Sequence, residues 1–275
     1  MDISKAKIII IVLLAAFNVF LLVNIFIISG GQDIHAKTIK NAELILNSRG
    51  ITLECDIPGK TSGFRRLEYG NGEIDRKASA KKLLGKEYEI SGEGEIFEHS
   101  GKKIVFKSGT KFEYTDEQPA PGMDIRSDDK AADAALKFLK DKGLLEGKYV
   151  ADDIMRDADG SVTVHFVEKY DNMLLFDNYC TVTIGEKGVS RLVYSKYEVN
   201  GFTQSKVEEF EAYQALLGYF EGGGSRVITS IDSGYKLGGC PMEEIESIEL
   251  LPVWRIKLKD EPDPVFISPN DLKYK

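Results

Sequence analysis

Hydrophobic positions fall into three successive regimes along the chain. From Ile8 to Ile28 the sequence carries no charged residue, and at about 1.5 Å per helical residue such a run covers a hydrocarbon core of about 30 Å. This predicts a transmembrane helix over 8–29 behind a stub of residues 1–7. Ser29, Gly30 and Gly31 follow the run without the small-x-small site of a shorter, cleaved signal peptide, so the anchor is expected to stay. The pattern then turns amphipathic: Ile34, Ile39, Ala42, Ile45 and Leu46 recur with a helical period. Asp33 is the expected N-cap and Gly50 lies just past the end. A rigid stalk leaving the membrane is the consequence.

The third regime mixes alternation with helical stretches. Ile51–Leu53 and Phe64–Tyr69 read as strands and Ala78–Leu84 as a short helix. Glu95–His99, Lys103–Lys107 and Lys111–Tyr114 read as a meander with glycine turns. Pro119-Ala-Pro121-Gly122 is the expected linker. A helix over Asp128–Lys142 precedes strands near Ser161–Tyr170, Leu174–Ile184 and Val189–Val199, with turns at Asp159-Gly160, Asp171-Asn172 and Gly185–Gly188. The order recurs: a helix over Lys206–Phe220, the glycine run Gly222–Gly224, then strands near Arg226–Leu237, Ile245–Leu258 and Val265–Ser268.

The predicted fold class is therefore α+β, an N-terminal transmembrane helix followed by tandem units in which a helix crosses an antiparallel sheet. The expected boundaries are a stalk and N-terminal subdomain over 30–118, a linker over 119–127, a first α-β-β-β unit over 128–200 and a second over 201–275. A domain of this size buries enough surface to need no metal or disulfide.

Composition narrows the function. With 43% hydrophobic and 29% charged residues the chain is globular, and its net charge of −8 is opposite to what holds a phosphate backbone, so nucleic acid is not an expected partner. Cys55, Cys180 and Cys240 form no C-x-x-C pair and the three histidines are scattered, which leaves no Cys/His metal site. Gly188-Val-Ser190-Arg-Leu192 lacks the last glycine of a nucleophile elbow, and Gly222–Arg226 lacks the lysine and spacing of a phosphate loop; both read as turns. Asp152, Asp153, Asp157 and Asp159 before Gly160 miss the calcium-loop register, since positions 1 and 12 would be Met155 and Phe166. The pairs Glu208/Glu209 and Glu243/Glu244 read as solvated faces. His165 reads as a surface or hydrogen-bonded residue, Cys180 and Cys240 as buried or inconsequential apolar residues, and Trp254 as core. No catalytic residue, cofactor or metal site is expected, and an enzyme is the least favoured reading.

Within the apolar run, Asn24 is expected to bond to its own helix or to sit near the interface. Asn18 shares a face with Ala15 and Leu22, a small-polar-large stripe that suits either a neighbouring helix or, again, a bond to its own backbone. Lys5 and Lys7 before the run are matched by Lys37 and Lys40 after it, so charge does not orient the span; nearly all the mass lies C-terminal.

Several segments together resemble the YycI family: Met1-Asp2-Ile-Ser-Lys5-Ala-Lys7, Phe17-Asn18-Val-Phe20-Leu21 within the run, and Arg49-Gly50-Ile51 before a strand and Pro58. Ile231-x-x-Gly234-Tyr235 and Leu251-Pro252-Val253-Trp254-Arg255-Ile256 are similar to the PepSY-like modules of YycI and its sister YycH. Ile3 stands where many members carry Trp, and Gly59–Pro121 carries no matching motif. The resemblance implies a non-enzymatic, single-pass regulator in the cell membrane, with a cytoplasmic N-terminus and an extracellular domain. Its partners would be a cell-wall sensor histidine kinase, contacted through membrane helices, and a YycH-like protein, with a homo- or heterodimer among the expected assemblies. The competing reading is an extracellular PepSY-like binding or protease-inhibitory module that the anchor merely tethers.

Overall fold

The computed structural model describes residues 3–59, 64–120, 123–207, 210–238 and 246–271, with side chains described for 10–24 and, Lys206 apart, from His35 onward within those ranges. Helix α1 runs unbroken over Ile3–Ser48. The expected N-cap at Asp33 is therefore replaced by continuing helix: no proline between the apolar run and the stalk removes a backbone donor, so the i→i−4 ladder passes through. Among the described residues no stretch is long and apolar enough to cross a membrane. Of the expected span, side chains are described only from Ile10 to Asn24, and the remainder lies outside the described set.

Beyond α1 come β1 (Ile51–Leu53), β2 (Arg65–Gly70), α2 (Arg76–Leu84), β3 (Glu89–Ser91), β4 (Ile96–His99), β5 (Lys102–Ser108) and β6 (Lys111–Asp116). They are followed by α3 (Asp128–Asp141), β7 (Lys148–Arg156), β8 (Val162–Tyr170), β9 (Met173–Gly185), β10 (Gly188–Ser195) and β11 (Glu198–Lys206). Helix α4 (Ala212–Tyr219), β12 (Arg226–Tyr235), β13 (Ser247–Leu250), β14 (Pro252–Leu258) and β15 (Val265–Ile267) complete the fold.

One sheet has the order β15-β14-β12-β9-β10-β6-β5-β4-β3, with β1 beside β12 and the β7–β8 pair beside β9; a second holds β11-β2-β13. The ladders are antiparallel except β1–β12 and β9–β12. Strand pairing crosses the segment boundaries expected from sequence: β6 pairs with β10, and β1 with β12.

Strand β9 divides the molecule. Its register against β8 passes from Val167↔Tyr179 to Glu168↔Leu175, so Phe176, Asp177 and Asn178 bulge out. Its C-terminal part pairs with β10, while Leu174 and Leu175 pair with Gly234 and Tyr235 of β12. In the first lobe α2 and α3 cover the sheet, with Leu83, Ala131, Ala135 and Leu139 packed on Ile104, Phe112, Val164 and Leu192. The i, i+4, i+8 spacing of the α3 residues puts them on one face, and Ser127 caps the helix at the Lys130 amide. The second lobe buries Trp254, Ile228 and Ile256 beneath α4 and the end of α1.

Four expectations change, the first at the strand near Val189–Val199, where β10 ends at Ser195 and β11 starts at Glu198 in the second sheet. Strand β7, read from sequence as an acidic turn region, adds a fourth strand to the first unit. The expected helix over Lys206–Phe220 shortens to α4, because strand β11 continues to Lys206 and Glu211 with Gln214 forms a reciprocal cap that fixes the start. The run Ile245–Leu258 splits at Leu251: Pro252 starts a new strand, β13 joins β2 and β14 joins β12.

Candidate functional site

The end of α1 is built into the second lobe. Leu46 and Ala42 are buried, with Ile39 packed beside them, against Ala212, Leu216 and Phe220 of the α4 region and Ile51 of β1. A fully buried aliphatic side chain contributes about 1.5–3 kcal/mol, so these turns are held firmly. The helix stops where Gly50 takes φ +84°, a left-handed conformation that glycine adopts without a Cβ penalty. Beyond it, the Gly224 amide donates to the Arg49 carbonyl at 3.0 Å. A Cβ on Gly223 would lie 2.9 Å from that same carbonyl oxygen, which is why the glycine run packs here. The Arg49 guanidinium donates to the Leu217 carbonyl at 2.8 Å and to that of Phe220 at 3.4 Å, meeting the negative end of α4. Trp254 is fully buried in this core, its indole N–H donating to the Phe210 carbonyl at 2.8 Å.

The opposite side of α1 is open. Leu44 is 60% exposed and Ile45 41%, and Ala15, Asn18 and Leu22 are exposed. The Asn18 amide donates one N–H to the Leu14 carbonyl at 3.0 Å, and Asn24 does the same to Phe20 at 2.9 Å. For Asn18 this leaves the second N–H and the carbonyl oxygen without a partner in its own helix.

A second set of polar groups crosses between the lobes. Arg255 is buried and bonds Asp152 of β7 through both Nη atoms, at 2.7 and 2.6 Å, and Asp232 of β12 at 2.9 Å. Its guanidinium also stands 4.6 Å from the Phe176 ring centroid. Lys257 adds bonds to the Asp152 carbonyl and carboxylate. Burial raises the Asp152 pKa, but hydrogen bonds and charge from Arg255, with Lys257, outweigh it and hold the carboxyl below its ordinary value. In the β9 bulge, Asp177 accepts from Lys236 and from the Leu237 amide. Asn178 donates to Glu168, which also takes Lys196 at 2.7 Å.

Strand alternation around Trp254 placed Arg255 beside Val253 and Lys257 but gave no sign of its burial, because its main partner, Asp152, lies 103 residues away. Asp157 and Asp159 shape the β7–β8 turn, where the Asp159 carboxylate accepts from the Ser161 amide. His165 bonds Thr181 through Nδ1 at 2.8 Å, as one of its two expected roles requires. Burial, first, holds its pKa below the usual imidazole value. Cys180 is fully buried, and burial pushes its thiol far up, which leaves it unreactive. Cys240, Glu208, Glu209, Glu243 and Glu244 lie outside the described residues.

These features define a two-lobed, mixed α+β module, mostly sheet, carried on one long N-terminal helix. Its sequence matches the family model for the YycI protein over residues 30–266, and the chain belongs to the YycI family. The fold is similar to that in the crystal structure of YycH from Bacillus subtilis, with a TM-score of 0.52 at 14% sequence identity. The likeness covers 78% of this chain and 54% of that one, so this chain spans about half the length of that structure. No protein with a curated description matches the sequence.

Proposed function

We propose that this chain is a membrane-anchored, non-enzymatic regulator of a two-component sensor histidine kinase, working through the face of α1 that carries Ala15, Asn18 and Leu22. Membership of the YycI family and the YycH-like fold point to two-component regulation rather than to an enzyme. The observation that carries the mechanism is the continuity of α1, whose last turns are part of the second lobe's core. A tilt or rotation of the domain then becomes a tilt or rotation of the apolar run.

Helix phase supports the choice of face. Eighteen residues are five full turns, so Asn18 lies in line with Ala36 and Leu22 with Lys40, both exposed. A neighbouring helix seated on Asn18 meets no part of the soluble domain further along. Bonds between helices in lipid contribute about 0.6–2 kcal/mol, enough to shift a kinase poised between two packings several-fold.

The test is kinase output in cells, read from a promoter that the response regulator controls. Asn18→Leu is expected to weaken association with the kinase in a bacterial two-hybrid assay and to change output in the same strain. Full regulation by a secreted domain without the apolar run would refute the proposal. Full regulation with the run replaced by an unrelated span would favour the tethered binding module instead.

A further inference from the structure

A cleft of about 680 Å³ opens between β7–β8 of the first lobe and β14–β15 of the second, with Pro262 and Pro264 also in its lining. This is within the size range of small-molecule sites, which favour such junctions. Its walls are apolar where Met155, 57% exposed, faces inward together with Phe176 and Phe266, whose rings meet edge to face at 5.1 Å. Its deep end is ionic. Arg255 lines it with a side chain 5% exposed, and while both Nη atoms are bonded, the Nε–H is buried without an acceptor. An unanswered donor on a buried guanidinium is costly. Lys257 beside it has three donor hydrogens and bonds only Asp152 among the described residues, through two atoms.

At the mouth, Asp153 is exposed, bonds only its neighbour's amide and has no cationic partner among the described residues. Arg255, Lys257 and Lys259 balance Asp152, Asp153 and Glu261 around the lining. Such a site gains nothing from net charge. It suits a ligand that is neutral overall yet carries both poles, with an apolar body between them.

We infer that this cleft binds a short apolar peptide with free termini. The carboxylate sits at the Arg255–Lys257 end, the ammonium group at Asp153, and an apolar side chain lies against Met155, Phe176 and Phe266. The ligand touches both lobes, so binding draws them together whether or not α1 is engaged by a partner.

The experiment is isothermal titration calorimetry of the purified full chain with leucyl-leucine, its C-terminal amide and its N-acetyl derivative. Saturable binding of the free dipeptide is expected, with a Kd at or below about 1 mM, and each blocked form is expected to bind at least about tenfold more weakly. Lys257→Met is expected to remove the preference for the free carboxylate, and the exposed Asp153→Asn the preference for the free ammonium group. Circular dichroism of both variants verifies that they are folded, and Asp153→Asn carries the test if Lys257→Met is not. Absence of binding, equal binding of the blocked forms, or an unchanged preference in folded Asp153→Asn would overturn the inference.

Discussion

Arg255 is the residue on which the junction between the lobes turns. It pairs with Asp152 and Asp232 at once, Lys257 adding the second positive charge at Asp152, and lies against the Phe176 ring. Removing one member of a buried ion pair leaves the other uncompensated, at a cost of about 3–5 kcal/mol. Because Lys257 still bonds Asp152, Arg255→Met is expected to destabilise the protein by at most that amount in urea melts, and Asp152→Asn in the same chain to recover part of it. The cluster also sets a pH dependence. Asp152 has a folded pKa below its unfolded value of about 3.9. Its contribution is fully present above that value and disappears as pH falls through the folded pKa. His165, held neutral by burial, works in the same direction from about pH 6.5 downward, because the unfolded chain takes up its proton first. Stability is expected to fall from near neutrality into acid, with His165→Gln flattening the upper part of the curve and Asp152→Asn the lower; melts across pH check both. At this scale the sequence was legible where chemistry is local, as for buried Cys180 and buried Trp254, while His165 was legible only as a surface or hydrogen-bonded residue and its partner Thr181 came from the structure. Arg255 was not legible, since a charged residue on an alternating strand looks the same whether its partner is water or a distant aspartate.

Among the elements, the joint between α1 and the sheet matters most. Leu46 fills the space between α1, α4 and β1, and Leu46→Ala is expected to cost about 2–5 kcal/mol through lost burial and the cavity left behind. Trp254, the chain's only tryptophan, lies in the same core. Its fluorescence therefore reports the joint directly, and the urea midpoint of that signal is expected to drop in Leu46→Ala. Gly223→Ala is expected to destabilise as well, since Gly223 has φ +67° and its added methyl would press on the Arg49 carbonyl. Helices α2 and α3 and the β4–β5–β6 and β8–β9–β10 hairpins could be read from periodicity and turn residues, because their partners are neighbours in sequence. Asp171 and Asn172, both at positive φ, form the hairpin turn their side chains suggested. Strand β7 was missed because its acidic, exposed edge resembles a loop. The β13–β14 division was missed because a single apolar run can serve two sheets.

For the whole molecule, the decisive feature is that one helix joins the apolar run to the second lobe without a hinge. If that helix passes on rotation, its phase matters. Two alanines inserted after Ala36 turn the domain by about 200° relative to the run, whereas seven restore it to within about 20°. The two-residue insertion is expected to abolish regulation of the kinase and the seven-residue insertion to retain most of it, measured with the same promoter. Equal output from both would show that the domain and the run act independently.

The sequence alone determined helical character on both sides of Asp33, most hairpins, the α+β class and the family, because each rests on spacing along the chain, on turn chemistry or on short motifs, whereas the structure joined the two helical stretches into one. Only the tertiary structure decided that strands from separate segments share one sheet, that β9 bulges to divide it into two lobes, and that Arg255 holds those lobes together. These depend on contacts between residues scores of positions apart, whose formation is governed by shape and charge in three dimensions and leaves no period along the chain.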